Sequence, residues 1–143
     1  MMNDFFNIFS NELKATIEGL TGRAPEVVYK RQTQNGIKPP VVMANISLSG
    51  DINAKTEIVC TPVLISAISE WMMGEEEISK NENLGGDELD AAKEIFSNLF
   101  SAFSTSLGAQ KGMPKINFEV INVNFLDENS SLDFSVYEKL FLF

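Results

Sequence analysis

The sequence predicts an α/β domain of the α+β type, in which paired long helices pack on a mostly antiparallel sheet. Two amphipathic segments, residues 4–21 and 87–108, have the apolar spacing of helices. The segments that follow them alternate apolar and polar residues, as half-buried strands do. With 143 residues, the chain can bury a core without disulfides or metal. We therefore expect one domain over residues 1–143.

The first helix is predicted over residues 4–21, because apolar side chains recur there every three or four residues. Gly22 and Pro25 follow this segment and end it. The apolar stripe consists of Phe5, Phe9, Leu13, Ile17 and Leu20. The polar residues Asn7, Ser10, Asn11, Lys14 and Glu18 are expected mostly on the opposite side.

A short strand and a polar loop are expected over residues 26–40, where Pro39 and Pro40 exclude a helix. Residues 42–48 alternate apolar and polar, which predicts a strand. Turn residues at 49–53 then lead into a second strand over 55–60, so the two form a hairpin.

A second helix begins after Thr61, which is expected to cap it, with Pro62 in the first turn. Gly74 ends this helix. Its predicted apolar stripe is Leu64, Ala67, Ile68, Trp71 and Met72. Residues 75–86 form an acidic linker that we expect to be solvated.

The longest helix is predicted over residues 87–108, with Asp87 as its cap. Its buried stripe consists of Ala92, Ile95, Phe96, Leu99, Phe103 and Leu107. A strand over 115–126 follows Pro114, and its alternation slips near Val120 and Ile121, which predicts a β-bulge. A last strand is expected over 131–143. The apolar residues at its end predict burial or a continuation of the natural protein beyond Phe143.

Composition excludes several classes of function. The chain has no histidine, so Ser-His-Asp and Cys-His catalysis and most zinc sites are excluded, and we expect no cofactor. The single cysteine, Cys60, indicates a reducing compartment and a core role. A net charge of −9 disfavours nucleic acid and favours a basic protein partner. No signal peptide or membrane span is apparent, so a cytoplasmic location is expected.

The two long helices resemble each other. Residues 7–11 match residues 94–98 in pattern, and at the same offset Ala15 meets Ala102 and Leu20 meets Leu107. This pattern predicts an α-β-β repeat, with one copy in residues 1–74 and the other in 87–143. Chance similarity between two amphipathic helices is the alternative.

One face of the longest helix carries the residues with the most chemistry. Asp90, Glu94, Ser97, Asn98 and Ser101 fall opposite the apolar stripe at about 100° per residue. The simplest interpretation of such a face is solvation.

Residues 90–97 resemble the signature of the CheC, CheX and FliY family, which is Asp or Ser, three residues, Glu, two residues, Asn. The segments Thr16–Pro25, Ile46–Asp51 and Trp71–Gly74 also resemble the corresponding parts of that family. The resemblance implies a CheC-like fold of two pseudo-symmetric halves. It further implies dephosphorylation of CheY, in which an acidic residue pairs with a lysine of CheY and an asparagine orients water.

The sequence departs from this signature at the asparagine. Ser97 occupies that position and Asn98 follows one residue late, while Asn7 and Ser10 replace both signature residues in the first helix. The resemblance therefore implies a FliY-type flagellar motor switch component with a degenerate site at Asp90, Glu94, Ser97 and Asn98.

The expected partners of such a component are FliM-, FliN- and FliG-type switch proteins and CheY, at the cytoplasmic ring of the flagellar basal body. A FliN-like domain is expected after Phe143. A free-standing CheX-like phosphatase is the alternative, and an unrelated domain with two similar helices is a third interpretation.

Overall fold

Three helices and five strands account for the regular structure in residues 2–27, 30–32, 38–133 and 140–142, which a computed structural model of the chain describes. The predicted α+β class is confirmed. The helices are α1 (Met2–Thr21), α2 (Pro62–Met72) and α3 (Gly86–Ala109). The strands are β1 (Lys30–Gln32), β2 (Val41–Gly50), β3 (Ala54–Cys60), β4 (Ile116–Leu126) and β5 (Leu140–Leu142).

The main sheet is antiparallel, with β2 between β3 and β4. The predicted hairpin is confirmed, since Met43 lies opposite Val59 and Ser47 opposite Lys55. At its tip Gly50 has a φ of 111°, and a Cβ at this position would lie 2.6 Å from the carbonyl oxygen of Lys115. Glycine is therefore required where the hairpin meets the start of β4.

The predicted bulge in β4 is also confirmed. Asn45 pairs with Asn122, whereas the next residue of β2, Ile46, pairs with Val120, so Ile121 has no partner in the ladder. Ile121 is 51% exposed on the outer face. Because one residue is extruded, Val120 and Val123 both pack against the core although they differ in parity.

Both long helices cover the same face of the sheet, as predicted. Side chains of α1 and α3 share one core with the inward residues of β2 and β4. Its buried members are Phe9, Val42, Ala44, Ile46, Ile65, Leu84, Ala92, Phe96, Leu99, Phe100, Phe103, Leu107 and Ile116. Phe9 and Phe96 are both buried, as the repeat requires, but the twofold relation of the two halves remains a prediction.

A cluster of phenylalanines joins the two helices to β4. The Phe103 ring lies 5.0 Å from Phe5, 5.1 Å from Phe9 and 5.1 Å from Phe118, measured between centroids. The first two pairs are edge-to-face and the third is stacked. These residues come from α1, α3 and β4. Each long helix therefore packs part of its apolar stripe against the other long helix, and not only against the sheet.

The apolar stripe predicted for α2 is wrong in one residue. Leu64 is 44% exposed, whereas Ile65 is buried in the core beside β2. Because α2 is apolar on most sides, the spacing of 64, 67, 68 and 71 fits a helix as well as that of 65, 68, 69 and 72. The predicted cap is confirmed, since the Thr61 hydroxyl accepts the Leu64 N–H at 3.4 Å.

Asp87 is not the cap of α3, contrary to the prediction. Gly85 occupies that position, and its N–H donates to the Glu88 carboxylate at 3.1 Å. Glycine offers no side-chain oxygen, so the carboxylate three residues later satisfies the free backbone donor. Asp87 lies inside the first turn, where its charge suits the helix dipole.

The linker before α3 is more than a solvated chain. Leu84 is 7% exposed and belongs to the core, and the Ser79 N–H donates to the Glu70 carboxylate at 2.8 Å. The Ser79 hydroxyl also donates to Glu70. The linker is therefore held to the domain at two points, by its own Leu84 in the core and by the Glu70 carboxylate on α2.

The last predicted strand begins too early. Residues 131–133 are not in a strand, whereas Leu140–Leu142 form β5, which pairs antiparallel with β1. Residues 134–139 and Phe143 lie outside the described residues, as do 28–29 and 33–37 of the predicted first strand and loop.

Candidate functional site

The exposed face of α3 carries all four predicted site residues. Asp90, Glu94, Ser97 and Asn98 are each exposed to solvent. The opposite side of α3 holds the seven buried residues Ala92, Ile95, Phe96, Leu99, Phe100, Phe103 and Leu107. The core therefore fixes the rotation of the helix and leaves these four side chains free to meet a partner.

Ser97 and Asn98 lie on opposite sides of Glu94. At about 100° per residue, Glu94 falls opposite the centre of the buried stripe. Ser97 lies toward the edge that faces β4, where the Ser104 hydroxyl donates to the Ile116 carbonyl at 2.6 Å. Asn98 lies toward α1, on the side where the Ser106 hydroxyl donates to Glu12. Glu94 and Asn98 therefore cannot replace Glu94 and Ser97 without a rotation of the whole helix.

The four side chains have no partner among the described residues. Across the ranges that the structure describes, none of Asp90, Glu94, Ser97 and Asn98 makes a side-chain hydrogen bond or an ion pair. The Glu94 carboxylate is thus available to a cation on another protein. The Ser97 hydroxyl can bind water, but it is shorter than a carboxamide and holds that water elsewhere.

The equivalent position on α1 is less accessible. Asn7 is exposed, whereas Ser10 is half-buried and is the exception among the polar residues predicted for that side. The Ser10 hydroxyl is shielded from solvent and has no hydrogen-bond partner among the described residues. Ser10 faces the packed side because α1 contacts both α2 and α3, which narrows its polar face.

Neither a metal site nor a membrane span is found in the part of the chain that the structure describes. No group of three or more His, Cys, Asp or Glu residues there converges on one point. No described helix has the length and apolar character that a bilayer crossing needs.

Two polar features join residues that are distant in the sequence, so the sequence alone does not predict them. On the outer face of the sheet, the Asn122 side-chain oxygen accepts from Asn45 at 2.6 Å and from Asn124 at 3.0 Å. At the ends of α1 and α2, the Arg23 guanidinium lies 4.9 Å from the centre of the Trp71 ring. Both depend on strand register and helix packing, which no local pattern reports.

Solved structures of chemotaxis and flagellar proteins have the same fold. FliY of Thermotoga maritima matches with a TM-score of 0.73 and 21% identity, over 92% of this chain and 71% of that chain. A CheC-like superfamily protein from Shewanella sp. PV-4 matches with a TM-score of 0.62 and 17% identity, over 89% and 82% of the two chains.

The third structure is a complex of CheX, CheY, BeF3 and magnesium from Borrelia burgdorferi. It matches with a TM-score of 0.54 and 12% identity, over 87% of this chain and 77% of that chain. No protein-family model matches the chain, and neither does any curated protein. At these identities the similarity establishes a CheC-like fold, in agreement with the resemblance found in the sequence.

Proposed function

We propose that this chain is a FliY-type component of the flagellar motor switch, which binds other proteins and has little or no phosphatase activity of its own. Its fold is that of FliY from Thermotoga maritima. The proposed location is the cytoplasmic face of the basal body. The proposed partners are FliM-, FliN- and FliG-type switch proteins, with CheY as a further partner.

The observation that carries the proposal is the state of the two helix faces. On α3 the acidic residue Glu94 is exposed, but the residue three positions later is Ser97 instead of asparagine. On α1 the equivalent Ser10 is half-buried, with its hydroxyl shielded from solvent. The exposed Glu94 supports docking of a partner, and serine in place of asparagine at Ser97 supports loss of the group that would orient water.

The loss of that group has a large expected effect on rate. Hydrolysis of an aspartyl phosphate depends on positioning and on electrostatic stabilisation, and the protein contributes little covalent chemistry. Loss of one positioning group costs on the order of a hundredfold or more in such sites. Glu94 alone can pair with a lysine of CheY, which favours binding over turnover.

A CheX-like CheY phosphatase is the second candidate. The CheX of the Borrelia burgdorferi complex has this fold and binds CheY, which supports CheY as a partner here. In this function Asp90 and Glu94 would contact CheY, and either Ser97 or Asn98 would hold the water. Asn98 is exposed, although it lies on the α1 side of Glu94.

Phosphate release from phosphorylated CheY distinguishes the two candidates. We expect the unmodified chain to accelerate it weakly or not at all, and Ser97→Asn to raise the rate by restoring the family spacing. Adding Glu94→Ala to that variant should abolish the gain. Ser101→Asn is the matched control, because it adds the same group one turn further along the same face and should have no effect.

Two results would overturn the proposal. Strong turnover by the unmodified chain that is lost in Asn98→Ala would establish a phosphatase that uses the neighbouring asparagine. Failure of the purified chain to bind the FliM-, FliN- and FliG-type proteins of the same organism in calorimetric titrations would remove the switch function. We also propose that residues 1–74 and 87–143 are the two copies of an α-β-β repeat.

A further inference from the structure

The ends of α1 and α2 form a second surface with the character of a protein interface. Arg23 follows α1, and its guanidinium lies 4.9 Å from the ring of Trp71 in the last turn of α2. Met73 follows directly and is 73% exposed, the largest exposure among the exposed large apolar residues of the described chain. Tryptophan, arginine and methionine are the residue types enriched where proteins bind one another.

Acidic residues border this apolar surface. Glu75, Glu76 and Glu77 are all exposed, and the Glu75 N–H donates to the Glu70 carbonyl at 3.0 Å, which places them at the end of α2. In the part of the chain that the structure describes, none of the three makes an ion pair. We call the surface of Arg23, Trp71, Met73 and these three glutamates the α2-end patch.

The charge of the α2-end patch is unfavourable in the isolated chain. The C-terminal end of a helix carries a partial negative charge, and cations near it are stabilising. Neither α1 nor α2 has a basic residue in its last turn, and Arg23 is the cation found beside Trp71. Three further carboxylates at such a site repel one another, and a cationic partner would relieve this repulsion.

Trp71 has a second unsatisfied feature. Its indole Nε1 is shielded from solvent and has no acceptor among the described residues. Buried donors in folded proteins usually have a partner.

We propose that the α2-end patch binds a cationic, partly apolar segment of another protein, with lysine or arginine beside at least one aliphatic side chain. The aliphatic side chain would pack on Met73 and Trp71, and the cations would face Glu75, Glu76 and Glu77. The charges and the exposed apolar side chains support this occupant over an acidic peptide. The site lies on elements other than the exposed face of α3, so it does not depend on the proposed switch function.

Trp71 is the only tryptophan of the chain, so its fluorescence reports on this surface directly. The probe is an amphipathic Leu/Lys peptide, and a Leu/Glu peptide of the same length is the charge control. We expect a saturable change in emission with the Leu/Lys peptide alone, and weaker binding as salt screens the carboxylates.

Matched variants separate the patch from general attraction to an acidic protein. Met73→Ser should weaken binding about tenfold or more, whereas Ile121→Ser, at a 51% exposed residue on the outer sheet face, should not. The triple change E75Q/E76Q/E77Q should weaken binding and flatten its salt dependence. The triple change E57Q/E119Q/E128Q removes the same amount of charge elsewhere on the protein. This variant should retain both the binding of the Leu/Lys peptide and its salt dependence.

Arg23→Gln should strengthen binding of the Leu/Lys peptide, in contrast to the changes at Met73 and at the three glutamates. It removes a cation that lies over the Trp71 ring and would compete with the peptide. Weaker binding in this variant, equal binding of the Leu/Glu peptide, or no difference between the patch variants and their controls would overturn the proposal. So would a dimer in sedimentation that Met73→Ser dissociates, because a second copy would then cover the patch.

Discussion

Replacement of Phe103 by alanine tests the packing that joins the two long helices. The side chain is 1% exposed and its ring lies about equally far from the rings of Phe5, Phe9 and Phe118. Truncation of a buried phenylalanine costs about 3–5 kcal/mol in free energy of unfolding. We expect the upper part of this range, because rings from three elements surround the site and cannot all move inward.

Urea denaturation measures this loss directly. A domain of this size has a total stability of about 5–15 kcal/mol, so the variant should still fold. With an unfolding entropy of about 2.1 cal/mol/K per residue, a loss of 4 kcal/mol over 143 residues lowers Tm by about 13 °C. The control Ile121→Ala alters an apolar residue on the outer face and should cost less than about 1 kcal/mol.

A loss below about 1.5 kcal/mol in Phe103→Ala would refute this account. It would mean either that the cavity closes without strain or that the ring is not at the centre of the core. Phe103→Leu keeps most of the apolar volume. Its loss in free energy of unfolding should lie between those of Phe103→Ala and Ile121→Ala, at about 1–1.5 kcal/mol.

Three further predictions concern single residues. Gly50→Ala should destabilise the domain by about 1–3 kcal/mol in thermal melts, because the new Cβ would lie 2.6 Å from the Lys115 carbonyl oxygen at a positive φ; an unchanged Tm would contradict it. Phe96→Ala should cost about 3–5 kcal/mol in urea, whereas the exposed Glu94→Ala should stay within about 0.5 kcal/mol; similar midpoints would mean that α3 is rotated. Cys60 keeps some exposed surface on the edge strand, but its side chain packs on the core, and burial raises the pKa of the thiol from 9.0 to about 12. The folded state then holds its proton where the unfolded state loses it, so stability should fall as pH rises from about 9 to about 12, and Cys60→Ala should remove that part of the slope.

Periodicity was enough to predict the elements whose two sides differ strongly. The stripe of α3 alternates with Asp90, Glu94, Ser97 and Asn98, so its buried and exposed faces follow from spacing alone. The bulge at Ile121 was predictable for the same reason, because two parities of apolar residues in one strand need an extra residue between them.

Elements without such contrast were predicted less well. Apolar residues occur on most sides of α2, so Leu64 and Ile65 were equally good candidates for its core position until β2 was placed beside it. Ser10 is polar by type, and only the packing of α1 against its two neighbours explains why its hydroxyl is shielded. The surroundings of Trp71 depend on where α1 ends, which lies far from it in sequence.

The bulge in β4 means that the core does not require Ile121. Removal of Ile121 would leave Asn122 directly after Val120, and the ladder with Asn45 and Ile46 would continue without a change of partners. Val123 would still face inward, because the strand would then alternate regularly. A shortened chain that lacks this residue would have a straighter and less twisted strand above an unaltered core. If the full chain and the chain without Ile121 bind a partner protein with different affinity, the difference would therefore come from the shape of the outer sheet face.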